Sequence, residues 1–162
     1  MNPNPQNTTA FDFPDNRLLK LQGTIPEEEM CHPPMLDRNG EPHLMVIKNG
    51  SATGVTIGRA NGIKSFVRES IDGNSQISKE WPIIPCETKS VFSAPGDSGA
   101  AIVDGQGRVG GLITGGSGDT ESSDITYATP INFLLKSIKA NGYPNAHLNP
   151  GWMRSRPPTD IW

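Results

Sequence analysis

What most constrains this chain is the texture of its middle, from His43 to Gly142. Short runs rich in β-branched residues are cut off there by glycine or polar turns before a helical period can develop. H-L-M-V-I-K (43–48), T-G-V-T-I-G-R-A (53–60) and G-I-K-S-F-V-R-E (62–69) come first. A polar turn from Asp72 to Ser78 is expected next. K-S-V-F-S (89–93), A-A-I-V-D (100–104), R-V-G-G-L-I-T (108–114) and I-T-Y-A-T (125–129) follow it. β-branched side chains suit a pleated surface, and glycine weakens a helix interior. Six or seven strands at such spacing define a mainly β chain, a small closed antiparallel barrel or sandwich. Asp104-Gly105-Gln106-Gly107 reads as a hairpin turn between two of them.

One helix is expected after the last strand. Thr129 is its N-cap and Pro130 its first residue, where a missing N–H costs nothing. Ile131, Leu134, Leu135 and Ile138 mark one apolar face, and Gly142 ends it. Three parts result: a proline-rich irregular arm (1–42), the barrel with its helix (43–142) and a proline-rich tail (143–162). The arm offers apolar residues between Phe11 and Leu21 and a single helical turn at P-E-E-E-M (26–30), but no core of its own. Trp152 and Trp162 mark the tail as a segment that docks, because an indole is costly to leave in water.

Composition narrows the function. With 162 residues the chain suits one domain with loose ends, and 18 glycines with 15 prolines fit short strands and turns. A net charge of -3 gives no electrostatic footprint for nucleic acid or an anionic membrane. The first residues carry neither a basic end nor an apolar stretch, and no apolar run approaches membrane-spanning length. The expected setting is therefore intracellular, in the cytoplasm. There Cys31 and Cys86 stay unpaired and the sequons at Asn7 and Asn49 stay silent.

The chemistry concentrates in G-D-S-G, Gly96 to Gly99. A serine hydroxyl is a poor nucleophile until a base takes its proton and donors stabilise the oxyanion. Flanking glycines let the backbone turn so sharply that two amides converge on one point. The N–H groups of Gly96 and Ser98 are placed for that task. Asp97 is read as shaping the loop through hydrogen bonds, in preference to a chemical role.

The surroundings of this loop sharpen the reading. A-A-I-V-D-G-Q-G-R-V-G-G-L-I-T-G-G after it, I-T-Y-A-T-P-I-N-F-L-L-K-S-I, and V-I-K-N-G-S-A-T-G-V-T-I-G-R-A-N-G-I upstream stand in the order of one family. Residues 43–140 resemble the trypsin-like serine peptidases, specifically the C-terminal barrel of the chymotrypsin fold in its microbial and fungal members. That resemblance implies a nucleophile at Ser98 and an oxyanion hole from the amides of Gly96 and Ser98. It implies a substrate-binding strand edge at Thr114, Gly115 and Gly116. Gly115 stands where many relatives carry tryptophan, which leaves that wall of the primary pocket open. Phe92 falls at the pocket base with Tyr127 nearby; for both, core packing remains an equal alternative. An apolar base argues against a strict preference for lysine or arginine.

The resemblance also implies a histidine and an aspartate acting with the serine, and these belong to a first barrel that nothing here resembles. His32, in M-C-H-P-P, is the first histidine to weigh as a base. Only 66 residues separate it from Ser98, most of them barrel, and two following prolines deny it a helical turn. His43 opens a strand and His147 lies in the tail; neither Asp15 nor Asp37 is singled out by spacing. A serine without its partners retains only a small residue of catalysis. Two classes stay open: a serine endopeptidase lobe completed by histidine and aspartate from elsewhere, and a non-catalytic peptide-binding or regulatory module. The chain is then a cleaved product, part of a longer reading frame, or a genuine single-barrel protein. A polypeptide substrate or ligand is the expected partner. The N-terminal arm or a first-barrel polypeptide is expected to cover the apolar face that a lone second barrel would expose.

Gly105 to Gly110 also fits G-x-G-x-x-G, but a dinucleotide site needs a helix to begin there, and V-G-G-L-I-T continues as strand. No phosphate loop, H-E-x-x-H or paired C-x-x-C supports a cofactor or a metal.

Overall fold

The structure is a computed structural model that describes residues 19–148 apart from 38, 72–73, 87–89 and 119–124. Among the described residues two helices, α1 (Glu27–Cys31) and α2 (Ile131–Ala140), accompany eight strands. The strands are β1 (Met35–Leu36), β2 (Pro42–Gly50), β3 (Gly54–Ala60), β4 (Ser65–Ile71), β5 (Asn74–Pro85), β6 (Ala101–Asp104), β7 (Val109–Ser117) and β8 (Ile125–Pro130). Every strand-to-strand pairing is antiparallel. The order β2-β3-β5-β8-β7-β6 returns to β2, because Ile47 pairs with Val103 as well as with Ile57. Six strands thus form a closed ring of pairings, the arrangement that removes open sheet edges.

Period-two alternation decides which side chains fill the ring. Leu44, Val46, Ala60, Trp81, Ile83, Phe92, Ile102, Ile113 and Ala128 form the inner core. Each large apolar side chain there contributes about 1.5–3 kcal/mol by leaving water. Two strand glycines are explained by this packing. A Cβ at Gly110 would stand 2.5 Å from the Trp81 ring, and one at Gly58 would stand 2.6 Å from Ile83 and 2.7 Å from Phe92. Ile47, Val103 and Val109 form a second cluster with Ile131, and Leu19, Leu134 and Leu135 pack against it.

Several expectations change. Asn74 to Ser78 are strand, not turn: they pair with β4 in a two-stranded ribbon that leaves the ring. Residues 74–79 are all exposed, so no burial stripe announces them. The described part of K-S-V-F-S, residues 90–93, is not a strand. Ser90 to Ser93 run irregularly, with Phe92 fully buried and its carbonyl accepting from the Thr56 hydroxyl at 2.6 Å. Helix α2 begins one residue later than expected, with Pro130 as the cap. The Thr129 hydroxyl instead donates to Glu80 Oε2 at 2.9 Å. Ile138 is 43% exposed, outside the buried face, while Gly142 (φ 100°) follows the helix end as expected.

The arm is more structured than its composition indicates. The expected helical turn is α1, and Ile25 and Met30 are both in the inner core. Ile25 and Val109 form part of a backbone ladder beside β7: Ile25 N donates to Val109 O at 2.9 Å, and Val109 N donates to Gly23 O at 3.1 Å. Arg108 ties this arm down. Its two terminal nitrogens donate to Glu29 at 3.0 and 2.7 Å while its Nε donates to Asp104 Oδ2 at 2.7 Å. Phe11, Phe13, Leu18, Asp15, Trp152 and Trp162 lie outside the described residues. Cys31 and Cys86 are not joined to each other by a disulfide. No helix among the described residues is long and apolar enough to cross a membrane.

Candidate active site

Ser98 is exposed on the loop between Ser93 and Ala100, beside one pole of the ring. The sequence turns there because Gly96 (φ 104°) and Gly99 (φ 83°) take backbone angles that a side chain would resist. Three amides of the loop are tied off on backbone carbonyls. Asp97 N donates to Ala94 O at 3.0 Å, Ala100 N to Asp97 O at 3.0 Å, and Gly99 N to Ile113 O at 2.8 Å. The amides of Gly96 and Ser98 donate no hydrogen bond among the described residues, and the Ser98 hydroxyl likewise has no partner there. An uncommitted pair of donors flanking an accessible hydroxyl is the arrangement an oxyanion requires.

Asp97 is what holds the loop. Its side chain is fully buried and reaches across to the β2–β3 turn. Oδ1 accepts from the amides of Ala52 (2.7 Å) and Thr53 (3.2 Å). Oδ2 accepts from the Thr53 hydroxyl at 2.6 Å and the Ala94 amide at 3.2 Å. Lys48 Nζ, equally buried, lies 3.1 Å from Oδ2 and donates to Gly54 O at 2.9 Å and to the Thr53 hydroxyl. The Thr53 hydroxyl is the largest influence on the Asp97 carboxyl. Against the opposing effect of burial, it joins the Ala52 and Ala94 amides and Lys48 in holding the group far below the usual carboxylate range. Asp97 therefore shapes the loop, as its sequence context indicates.

Lys48 escaped sequence reasoning, although a signal existed. In H-L-M-V-I-K it shares the inward register of Leu44 and Val46, and a lysine in a core register needs a buried anion. Gly50 belongs to the same device: a Cβ there would collide with the Asp97 carboxyl.

Thr114, Gly115 and Gly116 lie beside the loop on β7. Pairing of β7 with β6 reaches only Leu112, and Gly99 and Ala100 continue it at Ile113. Beyond Ile113, Gly115 to Ser117 pair with β8 alone, which among the described residues leaves one strand edge free beside the loop of Ser98. A Cβ at Gly115 would meet nothing within 4 Å, so that wall is open. Tyr127 is half-buried, its hydroxyl 2.9 Å from Ser117 Oγ. Phe92 packs in the inner core with no exposed surface, so its ring supplies packing, and no solvent-facing pocket floor.

The histidines are elsewhere. The carbonyl of Cys31, just before His32, abuts Gly62, beyond the end of β3 opposite the β2–β3 turn that Asp97 binds. His43 opens β2 at that same far end, pairing with Met35. At about 3.3 Å per strand residue, each lies about 20 Å from the Ser98 pole. His147 is exposed beyond α2. Among the described residues no three His, Cys, Asp or Glu side chains gather as a metal site would require.

Fold and loop together define the class: a mainly β antiparallel ring with a C-terminal helix, carrying an exposed serine on a braced glycine turn. Solved structures similar to the chain are bacterial serine proteases of the chymotrypsin type. A Cellulomonas bogoriensis chymotrypsin matches at 25% identity over 59% of this chain and 46% of its own length, with a TM-score of 0.45. Thermobifida fusca protease A matches at 22% identity over 74% and 52%, with a TM-score of 0.49. A Nocardiopsis protease matches at 23% over 72% and 50%, with a TM-score of 0.47. The chain spans about half the length of these proteins. No family model and no curated protein matches it.

Proposed function

We propose that the chain is a serine endopeptidase lobe, in which Ser98 forms an acyl-enzyme once another polypeptide segment supplies histidine and aspartate. The observation that carries this reading is the loop itself. An exposed hydroxyl sits between two uncommitted amides, and a buried carboxylate with five donors around it holds the turn. Rigid placement of amides is what oxyanion stabilisation needs, and a protein that only bound peptides would have no use for it. The free edge of β7 supports the same reading, because an extended peptide added there would bring its backbone alongside Ser98.

The need for outside partners is supported by the histidines: among the described residues none hydrogen-bonds the Ser98 hydroxyl, and His32 and His43 belong to the far end of the ring. An apolar stripe is where the completing segment would sit. Val55 and Ile57 on the outer face of β3 are 57% and 45% exposed, and Ile84 on β5, across from Arg59, is 39% exposed. A covering polypeptide would remove these side chains from water.

Chemical rescue tests the proposal. A fluorophosphonate reacts by forming a bond from Ser98 Oγ to phosphorus with loss of fluoride, and it needs a base for the hydroxyl proton. The chain alone should label slowly, and free imidazole should speed labelling in the wild type but not in Ser98→Ala. Rapid labelling without imidazole would mean that the chain holds its own base. Labelling that imidazole never accelerates would favour a non-catalytic peptide-binding module.

A further inference from the structure

We propose that one face of the β4–β5 ribbon is a docking surface for a second polypeptide, and that it takes an acidic segment carrying large apolar side chains. The ribbon lies away from Ser98 and is independent of the peptidase-lobe reading. Pro85 pairs with Gly58 and Ile83 with Ala60, so the first half of β5 runs on past the end of β3 remote from the β2–β3 turn that Asp97 binds. A two-stranded ribbon is marginal in water unless a face of it packs on something. Phe66 pairs with Lys79, and Arg68 with Ile77. Directly opposed residues share a face, as do residues two apart on one strand. Phe66, Arg68, Ile77 and Lys79 therefore form one surface, and all four are exposed, Phe66 by 74% and Ile77 by 60%. The base of the other face is turned toward the protein: Ser65 and Val67 are half-buried, and buried Glu80 accepts from the Thr129 hydroxyl.

Single exposed apolar residues are ordinary, but Phe66 and Ile77 are neighbours on one face, which marks a contact surface. Its charge has one sign. Among the described residues no carboxylate shares this face, and neither Arg68 nor Lys79 is in an ion pair. Lys64 extends the positive strip toward the ring, its Nζ 5.8 Å from the centroid of the Trp81 ring. Burial holds the Lys64 ammonium below the usual lysine range, and the Lys79 charge acts in the same direction, against the opposing effects of Cys31 and Glu27. A partner that brings carboxylates to Arg68 and Lys79 and apolar side chains to Phe66 and Ile77 relieves both the repulsion and the exposure. The net charge of -3 repels an extended polyanion such as nucleic acid or an anionic membrane, whereas a short acidic peptide meets only this strip.

Two dansyl-labelled peptides of equal length, each with phenylalanine and leucine among charged residues, test this on the whole chain; the charges are aspartate in one and lysine in the other. By fluorescence anisotropy at low salt the aspartate peptide should bind about tenfold or more tighter, and added salt should shrink the difference. Arg68→Glu combined with Lys79→Glu should invert the order, and Phe66→Ser should weaken the aspartate peptide about tenfold without inverting it. Thermal unfolding checks that each variant is folded. If the double reversal unfolds, Lys79→Gln alone should weaken the aspartate peptide about threefold. Ser98→Ala should bind as the wild type does, so failure of the peptidase reading would leave this surface standing. Equal affinity for the two peptides, or a folded charge reversal that keeps the wild-type order, would overturn the proposal. Loss of binding in Ser98→Ala would also overturn it, by moving the peptide to the cleft. Sedimentation of the chain with phosphatidylserine vesicles, without binding of the aspartate peptide, would overturn it in favour of a lipid surface.

Discussion

Lys48 Nζ lies 3.1 Å from Asp97 Oδ2, and both side chains are completely withdrawn from solvent. An ion pair in that position is weak evidence for stability, because desolvating two charges offsets most of their attraction. Its consequence here is positional. Asp97 is next to Ser98 in the chain, and Lys48 is on β2, so the pair fastens the reactive loop to the ring wall. The charge on Asp97 is what allows it to gather the amides of Ala52, Thr53 and Ala94 at once.

Lys48→Met should be severely destabilising. The methionine nearly fills the space but leaves a buried carboxylate without its cation, a change that typically costs about 3–5 kcal/mol. Urea unfolding of the variant at pH 7 measures the loss. A loss below about 1 kcal/mol would mean that water or another cation reaches Asp97.

Asp97→Asn should destabilise the fold in a pH-dependent way. The folded-state carboxyl titrates far below its ordinary value, held down first by the Thr53 hydroxyl. The unfolded chain therefore binds the proton more readily, and stability from this group rises with pH. Its contribution is complete above the ordinary carboxylate value of about 3.9 and is lost as pH falls through the lower folded value. The stability gap between wild type and Asp97→Asn should stay constant from pH 7 to about 5 and close below about pH 4. Urea titrations across that range read the gap directly.

Much of the fold was legible because β2, β3, β6, β7 and β8 are each short runs with β-branched residues, β3 and β8 with an alternating burial as well, and because Asp104-Gly105 punctuates a hairpin. Strand β5 was not. Its first half is exposed on both faces and its second half carries Pro82 and Pro85, residues that argue against a central strand. The loop chemistry was readable from G-D-S-G since glycine and a small nucleophile have few other reasons to stand together. The brace was only half readable. Asp97 is part of that motif, whereas Lys48 and Thr53 sit 49 and 44 residues earlier, joined to it only by tertiary structure. Phe92 shows the opposite limit. Its distance from Ser98 along the chain fits a pocket base, yet the space left at Gly58 drew its ring into the core.

The N-terminal arm should behave as part of the ring, not as a removable leader. Ile25 is fully buried in the inner core beside Gly110, where its Cδ1 would lie 3.0 Å from an added Cβ. Ile25→Ala should cost about 2–5 kcal/mol, the range for deleting a fully buried aliphatic side chain. Proteolysis should then cut between residues 19 and 31 far faster than in the wild type. An unchanged unfolding midpoint would show that the ring folds without the arm.

Two glycines separate close packing from open space. At Gly50 a Cβ would run into the Asp97 carboxyl, and the neighbour cannot retreat without breaking its bonds to Ala52 and Thr53. Gly50→Ala should therefore cost about 1–3 kcal/mol, as overpacking does, and should weaken imidazole-assisted labelling of Ser98 because the loop loses its anchor. At Gly115 an added Cβ meets nothing within 4 Å, and its φ needs no glycine. Gly115→Ala should leave the unfolding free energy within about 0.5 kcal/mol of wild type, or raise it slightly by restricting the unfolded chain. Urea unfolding of the two variants side by side gives the comparison. Equal losses at both positions would mean that the Asp97 brace yields to a methyl group, and that the loop around Ser98 is held more loosely than its hydrogen bonds imply.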